Sequence, residues 1–322
     1  MSSLVLPTPD DVLAAAERLR SHIEETPLWW SPSLSELIGT EIWIKAETLG
    51  PLSAFKLRGA LNHLLAEPGA ADACTASTGN HGQAVAYGAK LLGRRADIFL
   101  PHGSPENKMA AIQRLGGALH VGGHDLDDAK ARARLYARDK GLAFVDDGES
   151  PHVIAGAGTI GLEIGRRLPG AAFVFAPTGS ACLASGTALG LKAAGRSTKV
   201  IAVQSAQTPC MVRSFHARRP IEHPVTTICD CLNQRIPPVL SLACMIEHVA
   251  DAMEVDDAQC LSAMHTILTT GHFLVEPGAA AGLAGAWARR NALSGLTIVL
   301  VLSGANADEA MIRRALDAPP LH

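Results

Sequence analysis

The chain has 322 residues, 48% of them hydrophobic and 18% charged, which is material for one large core or two smaller ones and excludes a disordered or fibrous chain. Lys plus Arg number 28 against 31 Asp plus Glu, a net charge of -3 with no basic run, so a nucleic-acid partner is not expected. No stretch of about 18 uncharged apolar residues occurs, and no charged segment followed by an apolar one opens the chain, so neither a membrane span nor a secretion signal is expected and the protein reads as cytoplasmic. Seven scattered cysteines without a C-x-x-C pair favour neither a disulfide framework nor a zinc ribbon, and most are expected to be buried thiols.

Short apolar runs alternate with helical segments, the pattern of a parallel α/β sheet. A strand running into Ser77 precedes a helix over Ala84 to Leu92. Strand Asp97 to Leu100 is followed by a helix over Pro105 to Leu115, with Ser104 as its expected cap. Strand Ala118 to Val121 leads to a helix over Asp127 to Asp139, opened by the acidic cluster Asp125 to Asp128. Strands Ala143 to Val145 and Phe173 to Ala176 come next, then a helix over Ser185 to Ala194 and strands Val200 to Val203 and Thr297 to Leu302. The alternations between residues 71 and 147 suffice for a small domain (71–147) inserted into a larger one (1–70 plus 148–322). Open α/β sheets bind ligands at the carboxyl ends of their strands, so each strand-to-helix junction is a candidate site.

Four junctions carry chemistry. In "SAFKLRGA" (53–60), Lys56 sits among apolar neighbours. It is either a solvated helix-start lysine or an amine whose lost hydration lowers its pKa and makes it a nucleophile. "ASTGNHGQAVAYGAK" (76–90) points several backbone N–H groups along a positive helix end, suited to a carboxylate or phosphate, or is simply a capped helix with a tight turn. His81 within it reads by itself as a structural hydrogen-bonder. "PTGSACLASGTALG" (177–190) has the build of an anion cradle, yet matches neither a G-x-G-x-x-G dinucleotide loop nor a G-x-x-x-x-G-K-[ST] loop, which argues against NAD and ATP. In "VLSGANAD" (301–308), Ser303 either meets a ring nitrogen or caps the next helix. His120 and His124 are spaced as metal ligands, but Gly122 and Gly123 break the helix that would align them. Cys229, Cys231 and Cys244 lack zinc spacing, so no metal is expected.

Taken together these stretches resemble the serine/threonine dehydratase family, pyridoxal-phosphate enzymes of the tryptophan-synthase-β-like fold (fold type II). "SAFKLRGA" is similar to its S-F-K-x-R-G-A motif, "STGNHG" to S-x-G-N-H-[GA], "VEPGAAAGLAG" (275–285) to V-E-P-x-G-A, and "VLSGAN" to L-S-G-G-N. Upstream, the T-P-L, S-x-x-L-S and K-x-E order is followed as well, so the resemblance spans about residues 9 to 308. It implies two open, twisted, mostly parallel sheets flanked by helices, with pyridoxal 5'-phosphate as cofactor. By motif, Lys56 would join the cofactor aldehyde and then take the Cα proton, while Phe55 would pack on the ring and Asn80 would hydrogen-bond its phenolic oxygen. Ser77, Thr78, Gly79, Asn80 and His81 would bind the substrate carboxylate; Gly179, Ser180, Ala181, Cys182 and Leu183 would cradle the phosphate; Ser303 would meet the pyridine nitrogen.

The departures are also informative. Ser180, Ala181 and Cys182 replace the family's run of glycines, which puts the shape of the cradle in question. Thr78 stands where serine racemases carry the serine that serves as opposite-face acid/base, which lowers racemase activity without removing the hydroxyl. Gln204 replaces the acid of the family's cation-binding members, and Cys229-Asp230-Cys231 replaces an A-D-G segment. The chain ends at His322, so no feedback domain of the biosynthetic threonine deaminases is expected.

The resulting expectation is an ammonia-lyase (dehydratase) that turns a 3-hydroxy amino acid into a 2-oxo acid and ammonia by α,β-elimination. Threonine and serine are the default substrates, with phenylserine, hydroxyaspartate and a hydroxylated diamino acid left open. The competing readings are a racemase or a β-replacement synthase on the same scaffold, and a non-catalytic binder of an amino acid or the cofactor. As in the family, a homodimer or homotetramer is expected.

Overall fold

The computed structural model describes residues 4–67, 69 and 72–322. Its strands are β1 (Leu28–Trp30), β2 (Glu41–Ala46), β3 (Ala73–Ala76), β4 (Ala96–Leu100), β5 (Gly117–Val121), β6 (Ala143–Phe144), β7 (Phe173–Pro177), β8 (Lys199–Ser205), β9 (Asp251–Val255) and β10 (Thr297–Leu302). They form a six-stranded sheet in the order β1-β2-β10-β7-β8-β9 and a four-stranded sheet in the order β5-β4-β3-β6. All pairings are parallel except β1 with β2. This is the α/β arrangement of two mostly parallel sheets flanked by helices. The small sheet draws only on residues 73–144, and the expected boundary at residues 70 and 71 lies outside the described residues.

Most strands foreseen from sequence are covered on both faces, where apolar residues run without alternation; the edge strand β5, largely uncovered, is the exception. β10, TIVLVL, is buried from its second residue onward, and β7 and β8 run the same way. β1, β2 and β9 were not foreseen, for separate reasons. β1 is three residues long with Trp29 and Trp30 exposed, and β9 is half polar. β2 carries Lys45, whose charge interrupts the apolar run although its side chain is buried.

Two helices start earlier than their apolar pattern, at Asn80 and Cys182, because the small and polar residues there form the first turn. The Asp125 carboxylate accepts from Asp128 N at 2.9 Å, as the acidic cluster suggested. Ser104 does not cap. Its hydroxyl donates to Pro101 O at 2.8 Å, and the helix Glu106–Arg114 begins behind Pro105 with no side-chain cap.

Two features hold the elements that bear the site. The helices Pro151–Arg167 and Cys182–Ala193 meet backbone to backbone. A Cβ on Gly161 would stand 2.0 Å from Thr187 O, and one on Gly190 would stand 1.9 Å from Gly158 O, so only glycine permits this approach. Beneath them lies a buried cluster of two cations and two anions. Arg58 Nε donates to Glu47 at 2.8 Å and Arg58 Nη2 to Glu163 at 3.0 Å, while Lys45 pairs with Glu163 and donates to Thr26 O at 2.7 Å. Burial alone would push the Glu47 carboxyl up, but Arg58 and Lys45 outweigh it and hold it below the usual carboxylate range. The K-x-E and F-K-x-R spacings thus encode one charge-balanced joint between β2, the helix Lys56–Ala66 and the helix Pro151–Arg167.

Candidate active site

The carboxyl ends of β3, β7 and β10 converge on a cavity of about 910 Å³, and every site residue expected from sequence lines it. Phe55 and Lys56 come from the start of the helix Lys56–Ala66. Ser77, Thr78, Gly79, Asn80 and His81 come from the turn after β3; Gly179, Ser180, Ala181, Cys182 and Leu183 from the turn after β7; Ser303 from the end of β10. Residues far apart in the chain meet because parallel strands present their ends on one side.

Lys56 is not a surface charge: its side chain is 11% exposed and its Nζ lies 4.9 Å from the Phe55 ring centroid. Of the two readings left open for Lys56, the solvated helix-start lysine is excluded by this burial, and the lowered pKa of the other is corrected by a partner that sequence reasoning missed. Nζ donates to both oxygens of Asp147, at 2.6 and 2.7 Å. Burial would lower the lysine's pKa, but the adjacent carboxylate more than offsets it, so the amine is held above its usual range and Asp147 below its own. Asp147 follows β6, at another strand's carboxyl end. That position was its only signal, since an acid in a surface turn is ordinary.

The turn after β7 answers the question raised by its missing glycines. Ala181 takes φ +66, the left-handed conformation glycine adopts freely, at a cost of roughly 1–2 kcal/mol, and the helix Cys182–Ala193 starts directly behind it. The first N–H of this turn to find a helical acceptor is that of Ser185, to Ala181 O at 2.9 Å. The N–H groups of Cys182, Leu183 and Ala184 precede it without intrahelical partners, at the positive end of a 12-residue helix. Gly179 is pressed against the chain at Cys231 and Leu232, where a Cβ would meet backbone at 3.0 Å. These backbone donors, with an amine beside them, fit a phosphate carried by an aldehyde-bearing ring, while the Ser180 hydroxyl donates to Asp147 at 3.2 Å in the cofactor-free chain.

Across the cavity, Asn80 Nδ2 donates to Glu276 at 2.7 Å, and Asn80 Oδ1 accepts from Asn306 at 2.7 Å. Glu276 is 3% exposed, and burial holds its carboxyl above the usual range. A Cβ on Gly304 would lie 2.0 Å from Glu276 Oε1, so the glycine of "VLSGAN" makes room for this acid. His81, 4% exposed, reaches Val145 O at 3.0 Å, the structural role its sequence suggested. The Ser303 carbonyl accepts from Phe55 N at 3.0 Å, tying the lysine's turn to β10.

The decoys resolve in place. His120 stacks on Phe99 at 4.6 Å and bonds Asp97 at 2.6 Å. Cys231 does meet Asp230 and Glu276, their ligand atoms within 4.8 Å of one another, a grouping that cysteine spacing does not reveal; but Asp230 is engaged by Lys108 and Glu276 by Asn80. Gln204 Oε1 accepts from Met211 N at 3.0 Å and Val212 N at 3.2 Å, capping the helix Cys210–Ala217 from within the chain. Six of the seven free cysteines are buried and Cys231 is intermediate. Among the described residues, no helix is long and apolar enough to cross a membrane.

Residues 19–304 match the family of pyridoxal-phosphate dependent enzymes. The chain is 35% identical over 299 residues to an L-threonine ammonia-lyase of Geobacter sulfurreducens, covering 91% of this chain and 74% of that one. It is 31% identical to an L-threo-3-hydroxyaspartate ammonia-lyase of Saccharomyces cerevisiae, covering 95% of each. Among solved structures, maize serine racemase superposes with a TM-score of 0.90 at 27% identity, covering 97% of each chain. A lysine, a phosphate-sized cradle and a strand-end serine on one cavity agree with these matches, and the chain belongs to the pyridoxal-phosphate-dependent enzymes, in the serine/threonine dehydratase family.

Proposed function

We propose that the protein is a pyridoxal-phosphate-dependent ammonia-lyase that converts a 3-hydroxy amino acid into a 2-oxo acid and ammonia. The observation that carries this reading is the position of Lys56, a shielded amine facing a cradle of unpartnered backbone N–H groups in one cavity. The N–H groups of Cys182 to Ala184 and the Ser180 hydroxyl hold the phosphate, Phe55 packs on the ring, Asn80 faces its phenolic oxygen and Ser303 meets its nitrogen. When bound, the cofactor supplies an electron sink for the pair left at the substrate's Cα.

The chain's own residues do the rest. The turn Ser77 to His81, at the start of the helix Asn80–Leu91, binds the substrate carboxylate through backbone N–H groups and the positive helix end. Lys56 is the base that takes the Cα proton, which requires it to shed the proton that Asp147 helps it keep in the cofactor-free chain. Ser303 is a neutral partner that does not hold a proton on the ring nitrogen, which limits charge delocalisation and favours prompt loss of the β-hydroxyl. Thr78 places a hydroxyl on the cavity wall, where racemisation would need an acid. Residues 71–147 act as a small domain over a large one, and the active form is a cytoplasmic homo-oligomer.

The test is release of ammonia and 2-oxo acid from a panel of 3-hydroxy amino acids by the loaded protein, beside Lys56→Ala. Release by the wild type alone is expected. Inversion of the amino acid without ammonia release, or β-replacement only when a thiol is added, would overturn the lyase reading.

A further inference from the structure

The glutamate of the V-E-P segment takes no part in holding the cofactor or moving protons, yet it lies on the cavity wall. Glu276 is 3% exposed, and among the described residues no cation forms an ion pair with it: Lys108 is engaged by Asp230 and Lys56 by Asp147. What its carboxylate accepts is an N–H of Asn80, at 2.7 Å. Burial works against its charge, while donation from Asn80 and from the Cys231 thiol works for it. Its place is fixed from behind, since Glu276 N donates to Gly304 O at 3.0 Å and a Cβ on Gly304 would lie 2.0 Å from Oε1.

From Glu276 a run of hydrogen bonds crosses to the turn ahead of Lys56. Asn80 Oδ1 accepts from Asn306 Nδ2 at 2.7 Å, and the same Asn306 nitrogen donates to Leu52 O at 3.2 Å. The two ends of this run, an ionised carboxylate and a backbone carbonyl, can only accept, so the direction of every bond between them follows. Asn306 spends one N–H on Leu52 and the other on Asn80. Asn80 must therefore turn its oxygen to Asn306 and its nitrogen to Glu276. An amide nitrogen has two hydrogens, and one of Asn80's is left over, on a residue that lines the same cavity as Lys56. Turned over, that corner of the amide would offer an oxygen instead, and both neighbours would face like atoms.

We infer that Glu276 and Asn306 are positioning residues that hold Asn80 with its free N–H toward the cofactor's phenolic oxygen, so that this oxygen stays an anion and Lys56 Nζ keeps the proton the two atoms share. This rests on the reading of the cavity as a pyridoxal-phosphate site. A phenolic oxygen that accepts from Asn80 is favoured as the anion, whereas one that met the amide's oxygen would have to carry the proton itself in order to donate. Exchanging one arrangement for the other reverses a contact at each end of Asn80, each worth on the order of tenfold in an equilibrium. With the proton on Nζ, the bond to the cofactor is open to displacement by the substrate's amine.

The experiment reads the absorbance of loaded protein at neutral pH, where a proton on Nζ gives a visible band and a proton on the phenolic oxygen a near-ultraviolet one. Wild type is expected to show mainly the visible band. In the double variant Glu276→Gln with Asn306→Asp, the carboxylate moves from one end of Asn80 to the other, which reverses donors and acceptors and leaves the net charge unchanged. The ratio of visible to near-ultraviolet absorbance is expected to fall by about tenfold or more. Glu276→Asp keeps the acceptor and should stay within about threefold of wild type. A wild type dominated by the near-ultraviolet band, an unchanged ratio in the double variant, or an equal fall in Glu276→Asp overturns the inference.

Glu276→Gln alone is a milder form of the test for the case in which the double variant does not take up the cofactor. Its amide can offer Asn80 either atom, so the ratio should still fall by about threefold or more, and no fall overturns the inference. Wild type that gains neither band on loading refutes the reading of the cavity, and the inference with it. A normal visible band in wild type that the variants leave unmoved refutes the inference alone.

Discussion

Replacing Glu163 by glutamine removes one of the two anions that balance Lys45 and Arg58 in the buried joint beneath the active site. The side chains involved are between 1% and 9% exposed, so the unmatched positive charge has little water to turn to. Breaking such a pair from one side costs about 3–5 kcal/mol, because the partner's charge stays buried. With an unfolding entropy of roughly 2.1 cal/mol/K per residue over 322 residues, about 0.7 kcal/mol/K in all, Tm should fall by ~4–7 °C. The assay is thermal unfolding followed by far-ultraviolet circular dichroism. Adding Lys45→Met restores neutrality and should recover more than half of the loss. A Tm within ~1 °C of wild type for Glu163→Gln, or a double variant no more stable than the single, would refute the view that charge balance holds this joint.

Other consequences follow from single positions. Gly161→Ala would place a Cβ 2.0 Å from Thr187 O and force the packed helices apart, so it is expected to lower stability by about 3 kcal/mol or more in a denaturant titration; a loss under ~1 kcal/mol would show that the helices can separate freely. Burial pushes the His63 imidazole down to about 4. The unfolded chain takes that proton near pH 6.5, before the folded chain does, so stability falls as pH drops from about 6.5 toward 4, by up to ~3 kcal/mol. His63→Gln should show a smaller loss of urea midpoint between pH 7 and pH 4.5, and equal losses would place the acid sensitivity elsewhere. Chelation of divalent ions should leave kcat/KM unchanged, because the Gln204 carbonyl is committed to two backbone N–H groups; a drop reversed by added Mg²⁺ would contradict this.

Much of this molecule was legible in its residue order, and the limits have physical causes. β7, β8 and β10 declared themselves because strands covered on both faces need unbroken apolar runs. β2 hid behind Lys45, a charge that is tolerated inside only because Glu163, 118 positions later in the chain, folds back to meet it. The candidate site residues all line one cavity, since each closes a strand or opens a helix on the same side of parallel sheets, while Lys45, Glu47 and Arg58 of the same motifs form the joint beneath it. Asp147 carried no such mark: its importance comes from the lysine 91 positions earlier, a contact that spacing does not encode. The replaced glycines of the turn after β7 looked like a loss of shape, yet Ala181 accepts the left-handed conformation and the helix Cys182–Ala193 starts directly behind it.

Every role proposed for the cavity depends on Lys56 being the amine that holds the cofactor. The direct measurement is to load the protein with pyridoxal phosphate, reduce it with borohydride, digest it and locate the modified residue by mass spectrometry. Modification of Lys56 in near one-to-one yield, absent from Lys56→Ala, is the predicted result. Stable modification at another lysine, or none after loading, would contradict it.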